Sequence, residues 1–148
     1  MHHPVNVFFY GSYMNFDVLS EAGIGERPYD IAHLSGYRLR ISPFANLVSD
    51  NSSDSYGILT QLTHKELNRL YIDHAQGKLG AIYLPKAVMV QTDDREPTPA
   101  LCYVSYCIQA EEPCPDYIER ILVAARKYGF PPEYINYIAS MNAAPVTA

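Results

Sequence analysis

Apolar and polar positions divide the first part of the chain into segments with different periods. The run 5–10 is apolar almost without interruption, which predicts a strand buried on both faces, and Gly11 ends it. A short helix is expected over 15–21. Between 31 and 41, apolar residues alternate with polar ones around Gly36, which predicts a strand with a bulge or bend at that glycine.

The remaining elements follow from the same patterns. Strands are predicted over 45–48, 56–62, 81–90 and 99–108, with a polar turn at 49–55 and a charged hairpin tip at 93–97. Thr63 and Glu66 form a capping box, which opens a helix with one apolar face. Helical spacing predicts two further helices, one ended by Gly129 and one that begins at Pro131-Pro132.

This order of elements indicates a fold class. About six strands and three or four helices are predicted, and they do not alternate regularly. That arrangement favours an α+β domain, a small mixed β-barrel flanked by helices, over a doubly wound parallel sheet. At 148 residues, the chain 1–148 is expected to form a single domain with a frayed tail at 142–148.

Composition excludes several function classes. The net charge of −5 and the lack of a basic run argue against nucleic acid or an anionic membrane as the main partner. No apolar run approaches the ~20 residues that span a bilayer, and the N-terminus does not resemble a secretion signal. Cys102, Cys107 and Cys114 contain no CxxC pair, so neither a zinc site nor a disulfide framework is expected. These features predict a cytoplasmic protein without a metal or cofactor, and they give no oligomeric state.

The turn after the first strand is the first candidate for chemistry. A sharp turn at Gly11 would allow the backbone N–H groups of Ser12, Tyr13 and Met14 to point the same way. If a helix begins near Asn15, those donors would lie at its positive end and bind a carboxylate or phosphate. The alternative is a plain strand–turn–helix connection.

Several of these stretches resemble one known family. Tyr10-Gly11-Ser12 is similar to the Tyr-Gly-Ser-Asn signature of the γ-glutamylcyclotransferase family. Other stretches resemble the family in the same order, namely Leu34-Ser35-Gly36-Tyr37-Arg38-Leu39, Ala45-Asn46-Leu47-Val48, Tyr56-Gly57-Ile58-Leu59, Pro115-Asp116-Tyr117 and Gly129-Phe130-Pro131-Pro132-Glu133-Tyr134. The resemblance covers roughly 5–141 and implies a small mixed β-barrel flanked by helices.

The resemblance also implies a reaction. In the family, the α-amine of a γ-glutamyl group attacks its own γ-carbonyl, which gives 5-oxoproline and a free amine or amino acid. An α-amine with a pKa near 8 needs a base at neutral pH, and the leaving amine needs a proton. The family uses a glutamate for both steps. Backbone amides of the signature loop hold the substrate, which places Tyr10, Gly11, Ser12 and Tyr13 in the binding site.

The sequence departs from the family pattern at two positions. Tyr13 stands where the family has asparagine. The catalytic glutamate aligns with His74 when counted from the preceding helix and with Gln76 when counted back from the following strand. A neutral imidazole can exchange a proton near pH 7 and an amide cannot, so His74 is the candidate catalytic residue, with Asp73 as the nearest carboxylate.

Each candidate also has a purely structural interpretation. His74 would be favourable as a charge near the C-terminal end of a helix, and Asp73 would be an ordinary surface acid. The capping box explains Glu66 without any catalytic role. Arg38 shares a strand face with Arg40 and either holds a substrate carboxylate or faces solvent.

Two aromatic positions and three functions stay open at this point. Tyr103 and Tyr134 either face the pocket or pack in the core. The first hypothesis is a cyclotransferase acting on a small γ-glutamyl amine or amino acid. The second is a non-catalytic relative that binds a small carboxylate ligand or a partner, and the third is another acyl-transfer reaction in the same cavity.

Overall fold

The computed structural model describes residues 3–93, 96–105 and 114–143. Its strands are β1 (Val5–Phe9), β2 (Tyr29–Ile41), β3 (Ala45–Leu62), β4 (Leu84–Thr92) and β5 (Thr98–Val104). Its α-helices are α1 (Phe16–Glu21), α2 (His64–Asn68), α3 (Gly77–Leu79), α4 (Pro115–Lys127) and α5 (Pro132–Ala143). A 3₁₀ turn at Ser12–Met14 follows β1, and a π-helix at Arg69–Gln76 joins α2 to α3.

The strands form a closed barrel in the order β1-β3-β2-β4-β5. All neighbouring pairs are antiparallel except β1 and β5, which run parallel and pair at Val7 and Leu101. The predicted α+β class and mixed barrel are therefore confirmed. The barrel of the described chain has five strands, one fewer than predicted.

The difference in strand number lies in β3. The predicted strands 45–48 and 56–62 are two parts of this one strand, and the polar turn between them is a bulge on it. Ser35 pairs with Asp54 and Tyr37 pairs with Ser49, so four residues of β3 lie opposite the single Gly36. Gly36 has a φ of +89°, which glycine adopts without the steric cost other residues incur. The predicted bulge at Gly36 is thus confirmed.

The core is one apolar cluster shared by the barrel and its helices. Val7, Phe8 and Phe9 are all at most 1% exposed, which confirms that β1 is buried on both faces. α4 packs against the 3₁₀ turn and against α5, which places the C-terminal helices beside the end of β1.

Several predicted boundaries differ from the structure. β4 begins at Leu84 rather than at 81, and α5 includes 142 and 143, which were assigned to a frayed tail. Predictions for Cys107, for 106–108, 111–113 and 144–148, and for the tip at 94–95 lie outside the described residues. In the described part of the chain, no helix is long and apolar enough to cross a membrane. No group of three or more possible metal ligands occurs there either.

Candidate functional site

A cavity opens beside the turn after β1. It encloses about 410 Å³, including the space at its open mouth. It is lined by Phe9, Tyr10, Gly11, Ser12, Tyr13, Phe44, Ala45, Tyr71, Ala75, Leu79, Ala81, Tyr83, Tyr103 and Tyr117. Six of these side chains are tyrosines, and none of the described residues in the wall carries a carboxylate, an imidazole, an ammonium or a guanidinium group. The wall is therefore aromatic and uncharged, with polar atoms supplied by phenol and backbone groups.

Gly11 is required here by space. Its φ is −116°, outside the left-handed region that favours glycine. A Cβ atom at Gly11 would lie 2.6 Å from the Cβ of Ala45. Glycine thus allows the turn to lie directly against Ala45 at the start of β3, and both residues line the cavity.

The amides of the turn are only partly available to a ligand. The Met14 N–H donates to the Gly11 carbonyl at 3.1 Å, so it is used inside the turn. Hydrogen bonding with the backbone and side chain of Ser12 acts to lower the pKa of Tyr117, so Ser12 and the Tyr117 phenol are neighbours. For the Tyr13 N–H, no acceptor is found among residues 3–93, 96–105 and 114–143. The turn therefore offers fewer free donors than the three that the sequence predicted.

Tyr117, on α4, is a site residue that the sequence analysis did not single out. Its hydroxyl oxygen accepts the Ala45 N–H at 2.8 Å. Burial raises its pKa, while hydrogen bonds from Ala45 and Ser12 act in the opposite direction. The Tyr117 oxygen accepts the Ala45 N–H, and the phenol proton can go either to the Ser12 hydroxyl or to an oxygen atom of a ligand in the cavity. The only signal was its place in the stretch 115–117, one residue before the apolar face of α4.

The other tyrosines form a packed, neutral wall. The Tyr10 hydroxyl donates to the Tyr103 carbonyl at 2.6 Å. The rings of Tyr71 and Tyr103 are stacked, with centroids 3.8 Å apart and planes 10° from parallel. Burial raises the pKa of Tyr10 and Tyr71 well above that of a free tyrosine, so both phenols are neutral at physiological pH.

Tyr13 and His74, the two departures from the family pattern, contact each other. The Tyr13 hydroxyl lies 2.8 Å from Nδ1 of His74 and 3.2 Å from the Leu70 carbonyl. With the imidazole proton on Nε2, Tyr13 donates to Nδ1; with it on Nδ1, His74 donates to Tyr13, which then donates to Leu70. The direction of the hydrogen bond between these two side chains therefore depends on the tautomer of His74.

The surroundings of His74 favour its neutral form. Desolvation by burial lowers its pKa, as does Lys78, while Glu21 opposes the shift. The imidazole is consequently neutral at pH 7 and able to accept a proton. His74 is not one of the residues of the wall, but it contacts Tyr13, which is.

The π-helix decides which residue of this segment faces the cavity. In a π-helix, hydrogen bonds join residues five apart, so side chains are not spaced as in an α-helix. Ala75 is part of the wall and is 1% exposed, whereas Asp73 and Gln76 are both exposed. The structure thus places Ala75 in the wall. Neither His74 nor Gln76, the two residues that align with the family glutamate, is part of it.

Two predicted or considered polar residues lie elsewhere. Arg38 lines a second cleft of about 640 Å³ with Tyr134, and its Nε lies 3.6 Å from an Asp50 carboxylate oxygen. Glu66 completes the capping box with Thr63 and accepts two hydrogen bonds from the Arg27 guanidinium, at 2.8 and 2.9 Å. Neither group takes part in the aromatic cavity.

Comparison with known proteins agrees with this fold. The model of the AIG2-like family matches residues 54–138. A solved γ-glutamyl cyclotransferase superposes with a TM-score of 0.74 and 18% identity, over 93% of this chain and 88% of that one. A yeast γ-glutamyl cyclotransferase specific to glutathione gives a TM-score of 0.64 and 9% identity, over 95% and 94%.

A third solved relative is longer. YkqA from Bacillus subtilis gives a TM-score of 0.76 and 22% identity, over 96% of this chain and 55% of that one. No curated protein matches the chain. At these identities the solved structures show the fold alone, and the resemblance predicted from the sequence is confirmed at the level of fold and family.

Proposed function

The chain belongs to the AIG2-like family, and we propose that it is a γ-glutamylcyclotransferase-type enzyme acting on a γ-glutamyl amine or amino acid. The nucleophile of this reaction is the substrate's own α-amine. The new bond joins that nitrogen to the γ-carbonyl carbon, the amide bond to the leaving amine breaks, and 5-oxoproline is formed. The enzyme has to fold the substrate, remove a proton from the α-amine and supply one to the leaving nitrogen.

One observation carries the proposal, namely the hydrogen bond of 2.8 Å between the Tyr13 hydroxyl and His74 at the cavity wall. In the proposed mechanism Tyr13 accepts a proton from the α-amine as it passes its own proton to Nδ1 of His74. Reversal of this transfer delivers the proton to the leaving amine. The pair would thus perform both steps for which the family uses a glutamate.

Binding groups for the glutamyl part are available on the same wall. The Tyr13 N–H and the Tyr117 hydroxyl are donors suited to a carboxylate or a developing oxyanion. Tyr10, Gly11 and Ser12 shape the turn against which the glutamyl chain would lie. Tyr103, stacked on Tyr71, would form the opposite aromatic face.

The test is incubation of the purified chain with a panel of γ-glutamyl amides and γ-glutamyl amino acids while 5-oxoproline is followed. At least one compound should release 5-oxoproline, and Tyr13→Phe should abolish the release because it removes the relay hydroxyl. Tyr29→Phe, at an exposed tyrosine outside the wall, is the matched control. Lack of release from every compound would contradict the proposal.

A second candidate is a binding protein without turnover. It is favoured by Ala75, which leaves a methyl group in the wall of a cavity without any carboxylate among the described residues. Calorimetric titration of the same panel separates the two candidates. Binding of γ-glutamyl compounds without 5-oxoproline would support this second function, and 5-oxoproline release would exclude it.

A further inference from the structure

We infer that the second cleft, which is lined by residues of β2, β3 and α5, is a binding site for a primary alkylammonium group. The side chains that carry this inference are those of Arg38, Asp54, Tyr56, Glu133, Tyr134 and Tyr137. The cleft shares no lining residue with the aromatic cavity beside the turn after β1. The inference therefore concerns a second site and does not rest on the proposed reaction.

Two carboxylates in the wall of the cleft have no cation of their own. Asp54 lies on β3 and Glu133 in the first turn of α5, and neither forms an ion pair with another described residue. The guanidinium of Arg38 is directed to a different acid, because its Nε lies 3.6 Å from an Asp50 carboxylate oxygen. The wall thus contains two unpaired carboxylates beside one guanidinium whose charge is already compensated, which favours a cationic ligand.

Three tyrosine rings complete the wall. Tyr56 and Tyr134 pack edge to face, with centroids 4.9 Å apart and planes at 64°. Tyr137 is fixed by its hydroxyl, which donates to the Leu39 carbonyl at 2.7 Å. Aromatic rings attract an ammonium group through their electron-rich faces, and carboxylates accept its N–H donors. Rings and acids together therefore fit an alkylammonium better than a neutral or anionic ligand.

A buried hydroxyl beside the cleft lacks a hydrogen-bond partner. Tyr134 is 8% exposed, and no described residue forms a hydrogen bond with its hydroxyl in good geometry. Burial raises the pKa of Tyr134, and the neighbouring Ser55 and Tyr56 only oppose this shift, so the phenol is neutral at physiological pH. A buried polar atom without a partner is unfavourable, and an N–H donor from a ligand would supply one.

A matched pair of compounds tests the charge requirement. Amide NMR spectra of the chain are recorded during titration with n-butylammonium chloride or with n-butanol, its neutral counterpart, and sodium chloride corrects for ionic strength. n-Butylammonium should shift the amide signals of 53–56 and 133–137 and leave those of 11–13 unchanged. n-Butanol should bind about tenfold or more weakly, because it lacks the charge.

Substitutions in the wall test its charges separately. Asp54→Asn and Glu133→Gln should each weaken n-butylammonium binding about fivefold, because each removes one attractive charge. Glu119→Gln makes the same change of charge on α4, outside the cleft, and should have no effect. Arg38→Gln should strengthen binding about twofold, because it removes a repelling cation. Thermal unfolding confirms that each variant is folded, and Asp54→Asn alone decides if Glu133→Gln is not.

One further compound distinguishes two sources of the same group. Nα-acetyl-lysine methylamide carries an alkylammonium on a peptide backbone. If it binds more tightly than n-butylammonium, the site takes a lysine side chain of a polypeptide, and if it binds more weakly, the site takes a free amine.

Three results would overturn the inference. They are the lack of signal shifts at the cleft, equal binding of n-butanol, and weaker binding of n-butylammonium by Arg38→Gln. None of them concerns 5-oxoproline release, so the proposed function would stand or fall separately.

Discussion

The helical segment from His64 to Leu79 contributes two titratable residues, Glu66 and His74, to polar pairs with residues from the N-terminal part of the chain, and the two pairs differ in structure. Glu66 is bound by Arg27 at two points and closes the capping box, and these bonds lower its pKa to about 2. Within the part of the chain that the structure describes, the side-chain hydrogen bond of His74 is to Tyr13, a residue of the cavity wall. The hydrogen bonds of the first group are satisfied by the fold, whereas in the proposed mechanism the second group exchanges a proton with the substrate through Tyr13.

This contrast shows how a structural acid differs from a candidate catalytic group. A carboxylate held by a guanidinium and a helix cap is expensive to protonate, so it is a poor proton carrier near pH 7. A neutral imidazole behind a phenol can be protonated and deprotonated at little cost.

The largest expected effect is that of His74→Gln on turnover. Glutamine keeps a polar side chain but cannot accept a proton, so kcat/KM for 5-oxoproline release should fall about 100-fold or more, equivalent to about 2.7 kcal/mol. His64→Gln, at an exposed histidine at the start of α2, should leave kcat/KM unchanged. An equal fall in both variants would remove His74 from the mechanism.

The pH profile of the wild type should agree with this role. Burial lowers the pKa of His74, so the base is lost by protonation only as the pH falls below the ordinary histidine value of about 6.5. We therefore expect kcat/KM to be level near pH 7 and to fall on the acid side. The acid limb should be absent from the residual activity of His74→Gln.

Glu66→Gln should affect stability and not turnover. The bonds from Arg27 and Thr63 hold the pKa of Glu66 at about 2 in the folded chain, against about 4.3 for an unperturbed glutamate. Its contribution is therefore complete above about pH 4.3 and is lost as the pH falls toward 2. Because the pair is partly screened by solvent, we expect a loss of about 1–2 kcal/mol at pH 7.

Urea unfolding at pH 7 and pH 3 measures this effect. The difference between wild type and Glu66→Gln should be smaller at pH 3, where the wild-type glutamate loses part of its advantage. Glu119→Gln is the matched control, because Glu119 and Arg126 form a surface pair at 3.5 Å with both side chains more than half exposed. A pH-independent difference for Glu66→Gln would contradict the assigned origin of the stabilisation.

The same segment shows how far the sequence predicts the structure. The capping box at Thr63 could be identified from two residues, because its hydrogen bonds are local. The residue that faces the cavity could not be identified from the sequence. The rotation of 100° per residue that applies to an α-helix does not hold in the π-helix Arg69–Gln76. Two alignments therefore gave His74 and Gln76, and the structure places Ala75 between them in the wall.

The barrel and the cavity also show that a sequence pattern predicts local features better than contacts between distant residues. The apolar run of β1 and the bulge at Gly36 were predicted because burial and backbone conformation leave a local pattern. The continuity of β3 was missed because its polar bulge has the composition of a turn. Tyr117 was missed because its contact with Ala45 joins residues 72 positions apart, which no local pattern records.

Ala75→Glu tests whether the wall position itself suits a carboxylate. Introduced into His74→Gln, it should restore turnover by about tenfold, because a glutamate in the wall can remove the proton without the relay. Ala75→Gln in the same background is the control of equal size and should restore nothing. Should both double variants stay inactive while remaining folded, Ala75 would not mark the place of the missing acid.

Tyr117→Phe is expected to have the smallest effect. The Tyr117 hydroxyl combines a structural role like that of Glu66, because it accepts the Ala45 N–H, with a position in the cavity wall. Its loss leaves the Ala45 N–H without its acceptor, which should lower the free energy of unfolding by about 1 kcal/mol. It also removes a donor from the wall of the cavity, so γ-glutamylethylamide should bind about fivefold more weakly. Glu66→Gln would share only the first effect. Loss of stability in Tyr117→Phe with unchanged affinity would show that this phenol, like Glu66, serves the fold alone.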